Sequence, residues 1–351
     1  MDLLAIPRPR SPKKNRMPRL FSFPTIGASL ALAGLAIWPG SIQFEHSVTL
    51  DAAATTPESA TQAGVRASLG FLQQNSLQTP PPSDAEIHER GQKLIANQHR
   101  DDAAIEEYER IEHQVDRTAG ANPRVLEDKL SRVVPTGTGT MKIVLKQDNK
   151  PADPVLYRQQ LQTWKELLEL ALKPDDSRAK LAYSKWQKKK TDRADLVDAT
   201  REAFLTKWMG QETLNGRLCD ILELDPNPSF HPHSIFQDAM THITAKIWVD
   251  RESDQLARAE AHVMRDISFG AGILGKLYRG GVFSFQQTEI APGIWLPARY
   301  QYDFMGRKFL FTFEEHQYIE ASQYRHVGPP KQALALVESE IASGKVMNGD
   351  P

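Results

Sequence analysis

In the second half of the chain apolar residues recur at every second position. ITAKIWVD puts Ile243, Ala245, Ile247 and Val249 on one face and Thr244, Lys246 and Asp250 on the other, the period of a half-buried strand. LARAEAHVM pairs back after Arg251 to Gln255. GVFSFQQTEI and IWLPARYQYDF flank Ala291-Pro292-Gly293, and RKFLFTFEEHQYI follows a turn at Met305-Gly306. Asn215-Gly216 separates EAFLTKWMGQETL from RLCDILELD, and Asn-Gly suits the positive φ angles of a type I′ hairpin turn. Strands joined by short turns from about Arg201 to Ala321 predict an antiparallel meander.

The first half is mixed. Ser83-Asp84 caps a helix marked by Ile87, Leu94 and Ile95 that runs to about Gln98. AIEEYERIEHQV reads as strand or, from its Glu and Arg content, as helix. Gly120 to Pro123 is a turn, and VLEDKLSRVV and TMKIVLKQ read as strands. A helical block covers 154–200. Asp153-Pro154 supplies a capping carboxylate and a first-turn proline, and Leu161, Trp164, Leu168 and Ala171 continue a helical stripe. Helices are predicted over 154–173 and 176–190, with a last helix from Lys331 to Ala342. Lys188-Lys189-Lys190 reads as a solvated helix face beside Asp192 and Asp195.

Period two collects aromatic residues on one side of three neighbouring strands. Phe309, Phe311 and Phe313 share a face; so do Leu296, Ala298, Tyr300, Tyr302 and Phe304; so do Phe283 and Phe285. Burying a Phe is worth roughly 1.5–3 kcal/mol, so this face must be covered. Either helices 154–173 and 176–190 cover it as ordinary core, or a curved sheet leaves part of it as a cavity for an apolar ligand.

GAGILGK, Gly270 to Lys276, matches two phosphate-binding glycine patterns on paper. A dinucleotide fingerprint needs a helix directly after the turn, yet the strand VFSFQQ begins within a few residues. A Walker A loop needs Ser or Thr where Leu277 stands. The better account is a flap: the glycines let the connection bend close to the sheet, tucking Phe269, Ile273, Leu274, Leu277 and Tyr278 over its mouth.

The 351 residues carry a formal net charge of −1, which gives no basic face for nucleic acid. The single cysteine, Cys219, rules out an internal disulfide and reads as packed in a strand. His231, His233 and His242 lie in a short span, but alternate residues split by proline point apart, so surface histidines are expected and no metal. Glu314, Glu315 and His316 are adjacent on a strand and face opposite sides. No nucleophile–base or zinc-protease motif occurs. A non-catalytic protein without cofactor is the expectation.

Compartment is read from the N-terminus. Arg8, Arg10, Lys13, Lys14, Arg16 and Arg19 precede an uncharged apolar run, Ile26 to Trp38, the pattern of an export signal. Met17 is an alternative start. A helix over that run is about 20 Å long, short of the roughly 30 Å hydrocarbon core. Counting from Leu20 lengthens it enough for an uncleaved anchor, which would hold the protein at the inner membrane. Residues 1–43 are therefore expected to be a signal peptide or signal anchor. Residues 44–83, rich in small residues and proline, form a linker; 84–326 are the folded body, and 327–351 the last helix and tail. The protein is expected to be exported to the periplasm.

The export signal, leading helix, antiparallel strands with helices inserted mid-chain, and the segments KIWVDRESDQLARAEAHV and GIWLPARYQYD resemble the periplasmic lipoprotein carriers and outer-membrane lipoprotein-sorting proteins (the LolA/LolB-like superfamily), over about 84–326. The resemblance implies an α+β fold: a strongly curved antiparallel sheet, or half-open β-barrel, with helices covering an apolar concave face. That face holds acyl chains in the carriers. By position Phe283, Phe285, Leu296, Tyr300, Tyr302, Phe309, Phe311, Phe313, Ile273, Leu274 and Leu277 would line it here. The implied partner is a lipid or the acyl chain of a lipoprotein; the alternative is a regulatory or structural module that binds an envelope protein without lipid.

Overall fold

The computed structural model describes residues 80–269, 275–309, 311–345 and 347. The expected signal, most of the linker, and Ile273 and Leu274 of the expected flap lie outside them.

The chain order is α1 (Asp84–Ala104), a 3₁₀ turn (Ile105–Glu107), β1 (Tyr108–Arg117), β2 (Val125–Pro135), β3 (Thr140–Gln147), β4 (Lys150–Pro151), α2 (Pro154–Ala171) and α3 (Ser177–Ala203). There follow β5 (Phe204–Leu214), β6 (Arg217–Pro226), α4 (Ile235–Met240), β7 (Ile243–Asp250), β8 (Leu256–Val263), β9 (Ile267–Phe269), β10 (Gly275–Leu277), β11 (Val282–Ala291), β12 (Ile294–Lys308), β13 (Phe311–His326) and α5 (Pro330–Ser343). The fold is α+β around one antiparallel sheet of 13 strands, in the order β4-β3-β2-β1-β13-β12-β11-β8-β7-β6-β5, with β10 joining β12 to β9.

Local chemistry explains the element ends. Ser83 and Glu86 cap α1 reciprocally, each accepting from the other's backbone N–H, which satisfies two orphan donors. Asp153 accepts from the N–H groups of Val155 and Leu156 at the start of α2. Asn215 and Gly216 both have positive φ, 51° and 82°, the I′ geometry expected between β5 and β6. Gly216→Ala should therefore cost about 1 kcal/mol, seen as a lower urea midpoint; an unchanged midpoint would show that this turn tolerates a Cβ without strain.

The sequence predicts a strongly curved half-open barrel; the sheet is instead open, neither closed nor strongly curled. Closure requires the first and last strands to pair. Here the edges β4 and β5 are joined by α2 and α3. Eleven strands in sequence span roughly 50 Å, and α3 alone reaches about 40 Å, so the helical block carries the chain from one edge to the other.

The two sheet faces have different covers. On one, Leu94 of α1, Leu196 and Ala203 of α3, and Ala239 and Met240 of α4 pack on β6, β7, β8, β11 and β12. A second core joins Val134 of β2 and Met141, Ile143 and Leu145 of β3 to Tyr157, Leu161, Trp164 and Leu168 of α2 and Val337 of α5. Register puts it on the opposite face: Gln114 pairs with Ile319, which pairs with Tyr300, whereas Ile111, out of phase with Gln114, belongs with the second core. Helices 154–173 and 176–190 thus do not both cover the aromatic face. α2 covers the other side, and the part of α3 that reaches the aromatic side is its last turns.

Candidate functional site

The aromatic rows form where the alternation places them. Phe283 pairs with Tyr302 and Phe285 with Tyr300 across β11 and β12; their ring centroids are 5.2 Å apart in both pairs. Phe304 continues the row. None of these five is more than 3% exposed, so the face is packed and holds no open trough along the rows. Burial drives the phenol groups of Tyr300 and Tyr302 well above their ordinary range, since an ion there has no solvent.

Other predicted residues fall elsewhere. A bulge at Ala298 shifts the pairing from Gln286–Arg299 to Gln287–Pro297. One extra residue inverts the alternation, so Leu296 is buried but lies outside the cluster that holds Tyr300. The expected turn at Met305-Gly306 is absent: β12 runs on to Lys308 and turns at Phe309, φ 53°. Gly306 serves close approach instead, because a Cβ there would lie 2.6 Å from the Lys276 carbonyl oxygen and from the Phe313 ring. With the turn moved, Phe309 leaves the row. Phe313 is half-buried against the core, while Phe311, at the strand's uncovered end, is 78% exposed. Leu277, in β10, is 2% exposed within the core. Among the described residues no helix lies between β9 and β11, and Gly275–Leu277 form strand β10 where a nucleotide fingerprint would need a helix; Lys276 pairs with Asp266 at 2.8 Å.

Beyond the aromatic rows, the same face becomes charged, which sequence reading missed. Arg110 and Glu112 alternate inward on β1, with Lys142 of β3 beside them. Arg110 Nη2 lies 2.6 Å and Lys142 Nζ 3.0 Å from Glu112. Burial favours the neutral acid, but the two cations outweigh it and hold the Glu112 carboxyl below its usual range. The signal was present in ERIEHQ, where charged and amide residues alternate.

At the other end, a shallow cleft lies between α1 and β5–β7. It encloses about 310 Å³ of empty space, the part open to solvent included, and is lined by Ile87, Gly91 and Leu94 of α1 and Trp208, Leu222 and Val249 of the sheet. Leu94, Leu222 and Val249 also belong to the aromatic core, so the cleft opens directly onto it. Polar contacts hold α1 over this mouth. Arg90 binds Asp220, reaches Asp254 at 2.5 Å, and donates to the Asp250 carbonyl oxygen at 3.1 Å. Asn97 donates to the Ser253 and Asp254 carbonyl oxygens, both at 2.9 Å. Burial works against the Asp220 carboxylate, but bonds from Trp208, Gln211 and Arg90 keep its pKa low. One turn on, the buried Asp101 accepts from the Trp295 N–H at 3.2 Å.

The chain is similar in structure to LolA-superfamily proteins and outer-membrane lipoprotein-sorting domains. An outer-membrane lipoprotein-sorting protein domain from Vibrio parahaemolyticus aligns at TM-score 0.30 and 9% identity, over 71% of this chain and 99% of that one. A DUF1329 family protein from Desulfovibrio piger aligns at 0.28 and 15%, over 68% and 92%, and a LolA superfamily protein from Nitrosomonas europaea at 0.24 and 10%, over 70% and 96%. No protein-family model and no curated protein matches the chain.

Among the described residues, no group of three or more His, Cys, Asp or Glu is placed to hold a metal ion. His231 and His233 are exposed in a loop. Cys219 is buried, its thiol pushed up to about 11 by burial and by Asp250, a poor nucleophile. Among the described residues no helix is long and apolar enough to cross a membrane.

Proposed function

We propose that the protein is an exported, non-catalytic binding protein of the cell envelope, most suited to a lipid or an acylated polypeptide, with the acyl chain entering beneath α1. The observation that carries this reading is the apolar cleft under α1, continuous with the aromatic core and closed at its rim by Arg90 and Asn97. Part of that 310 Å³ is open solvent and the cleft is shallow, so an acyl chain enters only if α1 lifts. Leu94 then leaves the core, and Phe283, Phe285, Tyr300, Tyr302 and Leu277 become the wall it touches. Periplasmic residence and membrane contact through an uncleaved N-terminal segment belong to the same reading.

Gly91 offers a clean test. It faces the cleft from α1, and a Cβ there meets nothing within 4 Å. Gly91→Leu should fill the cleft and raise helix stability by up to about 1 kcal/mol, while weakening retention of a fluorescent fatty acid at least tenfold. Equal retention by a variant of equal or higher stability would remove the cleft as the entry point.

A second reading has its own observation. The aromatic rows are packed like ordinary core, which suits a regulatory or structural module that binds an envelope protein without lipid. Native mass spectrometry of protein purified gently from its envelope separates the two. A stoichiometric lipid or acyl-peptide adduct supports the first reading; a clean apo mass, unchanged on incubation with lipid, supports the second.

A further inference from the structure

α3 has two unlike halves. Its last turns are built into the fold: Leu196 and Val197 are buried, Arg193 pairs with Asp102, and His99 with Asp198. Its first half, Ser177 to Lys190, is mostly exposed and contains Arg178, Lys180, Lys185, Lys188, Lys189 and Lys190 with no acidic residue. At about 100° per residue, Arg178, Lys185, Lys188 and Lys189 fall within an arc of about 100° that also holds Leu181, and Lys180 flanks it. Leu181 is 57% and Tyr183 56% exposed. Ala179, Tyr183 and Trp186 turn the other way: the Tyr183 and Trp186 ring centroids are 5.3 Å apart, and Lys190 lies 4.5 Å over the Trp186 ring and 3.2 Å from Glu106.

The acidic groups that reach this helix half stand at its margins. Asp176 pairs with Arg178 before it, Asp192 with Lys188 after it, and Glu106 with Lys190 from the inner side. Among the described residues Lys180, Lys185 and Lys189 make no ion pair. Lys185 has Lys188 and Lys189 three and four residues on, and like charges at those spacings cost about 0.2–0.5 kcal/mol each. A face that needed only to be wet would be steadier with interleaved acids, and this chain has as many acids as bases to supply them. The arrangement suits an anionic surface opposite it.

We propose that the exposed face of α3, from Arg178 to Lys189, docks on an anionic lipid surface. A cluster of basic side chains on one helix face, here around the exposed Leu181, is what the negative surface of an anionic membrane attracts. The cations meet headgroup phosphates while Leu181, within the same arc, enters the boundary layer. This docking is independent of what fills the cleft under α1.

The test reads α3 itself, so that insertion of the N-terminal apolar run does not confuse it. In the full chain, Ser184→Cys is labelled with an environment-sensitive fluorophore; Cys219 is buried and does not compete. The label is expected to respond to phosphatidylglycerol vesicles and not to phosphatidylcholine vesicles, and the response should fade in high salt. At about five-fold per lysine near an anionic membrane, charge reversal by Lys180→Glu, Lys185→Glu and Lys189→Glu together should weaken the contact on the order of a hundred-fold or more. All three are exposed, so the variant's unchanged thermal melting confirms its fold. An equal response to neutral vesicles, or one indifferent to the triple reversal, overturns the proposal. So does a response to poly-glutamate with none to anionic vesicles, which would assign the face to an acidic protein.

Discussion

Arg132→Ala should cost about 3–5 kcal/mol, the usual effect of removing one partner from a buried ion pair. Arg132 lies inside β2 and is 1% exposed. Its guanidinium donates to Glu109 at 2.6 and 2.9 Å and to Glu340 of α5 at 2.7 and 2.9 Å. Its centre stands 5.0 Å over Trp164 of α2, whose indole N–H is bonded to the Pro135 carbonyl oxygen. One side chain therefore ties the sheet to both helices of the second core. Burial alone would lower its pKa, but the Glu340 and Glu109 carboxylates outweigh that and raise it.

Alanine leaves Glu109, 7% exposed, with Arg325 as its one remaining cation among the described residues. The check is the denaturant midpoint at constant slope, together with hydrogen exchange in Pro330–Ser343, which should speed most. Arg132→Met with Glu109→Leu should recover much of the loss, because apolar groups replace a buried pair nearly neutrally; Glu340 and Arg325 are exposed enough to hydrate. A single variant within about 1 kcal/mol of the parent would mean that the network is relaxed by water.

What the sequence made legible is what short-range physics fixes. The Asn215-Gly216 turn, the in–out order of β7 and the cap of α1 depend on neighbours a few residues away. Met305-Gly306 reads as a turn signal, whereas Gly306 answers to the close approach of Phe313 from the next strand and of Lys276 from β10, contacts that no local pattern shows. The bulge at Ala298 leaves no mark in the pattern, so strict alternation predicts Leu296 in the row of Tyr300, from which the bulge removes it. Pairing of β1 with β13, and hence an open sheet with β4 and β5 at its edges, depends on contacts some 200 residues apart. The cleft takes Leu94, Trp208, Leu222 and Val249 from four elements, so no local motif announces it. The aromatic rows were legible as a face, but whether a face is core or cavity depends on its cover.

Asp101→Asn should remove a pH dependence from the docking of α1. Asp101 is 1% exposed. Burial raises its pKa to about 7 from an ordinary 3.8, despite the Trp295 N–H and the nearby Arg100. The folded state therefore holds a proton that the unfolded state releases. The stability this confers is full below about pH 3.8 and is lost as pH rises through about 7. The whole span corresponds to about 4 kcal/mol, of which roughly 2–3 kcal/mol falls between pH 5 and pH 8. Burial also raises Glu106 and Glu315, with the same sign, so the variant isolates one of three contributions. Asparagine can still accept from the Trp295 N–H and carries no charge to desolvate. The variant should therefore melt higher than the parent at pH 8 and close to it at pH 5. Hydrogen exchange across Asp84–Ala104 should slow at pH 8 in the variant after correction for intrinsic rates. If α1 is the door to the cleft, fatty-acid uptake by the parent should quicken from pH 6 to pH 8 and the variant's should not. Identical pH slopes for melting in the two proteins would show that Asp101 is ionised in the fold, and α1 would then be held by Arg90, Asn97 and Leu94 without help from a buried proton.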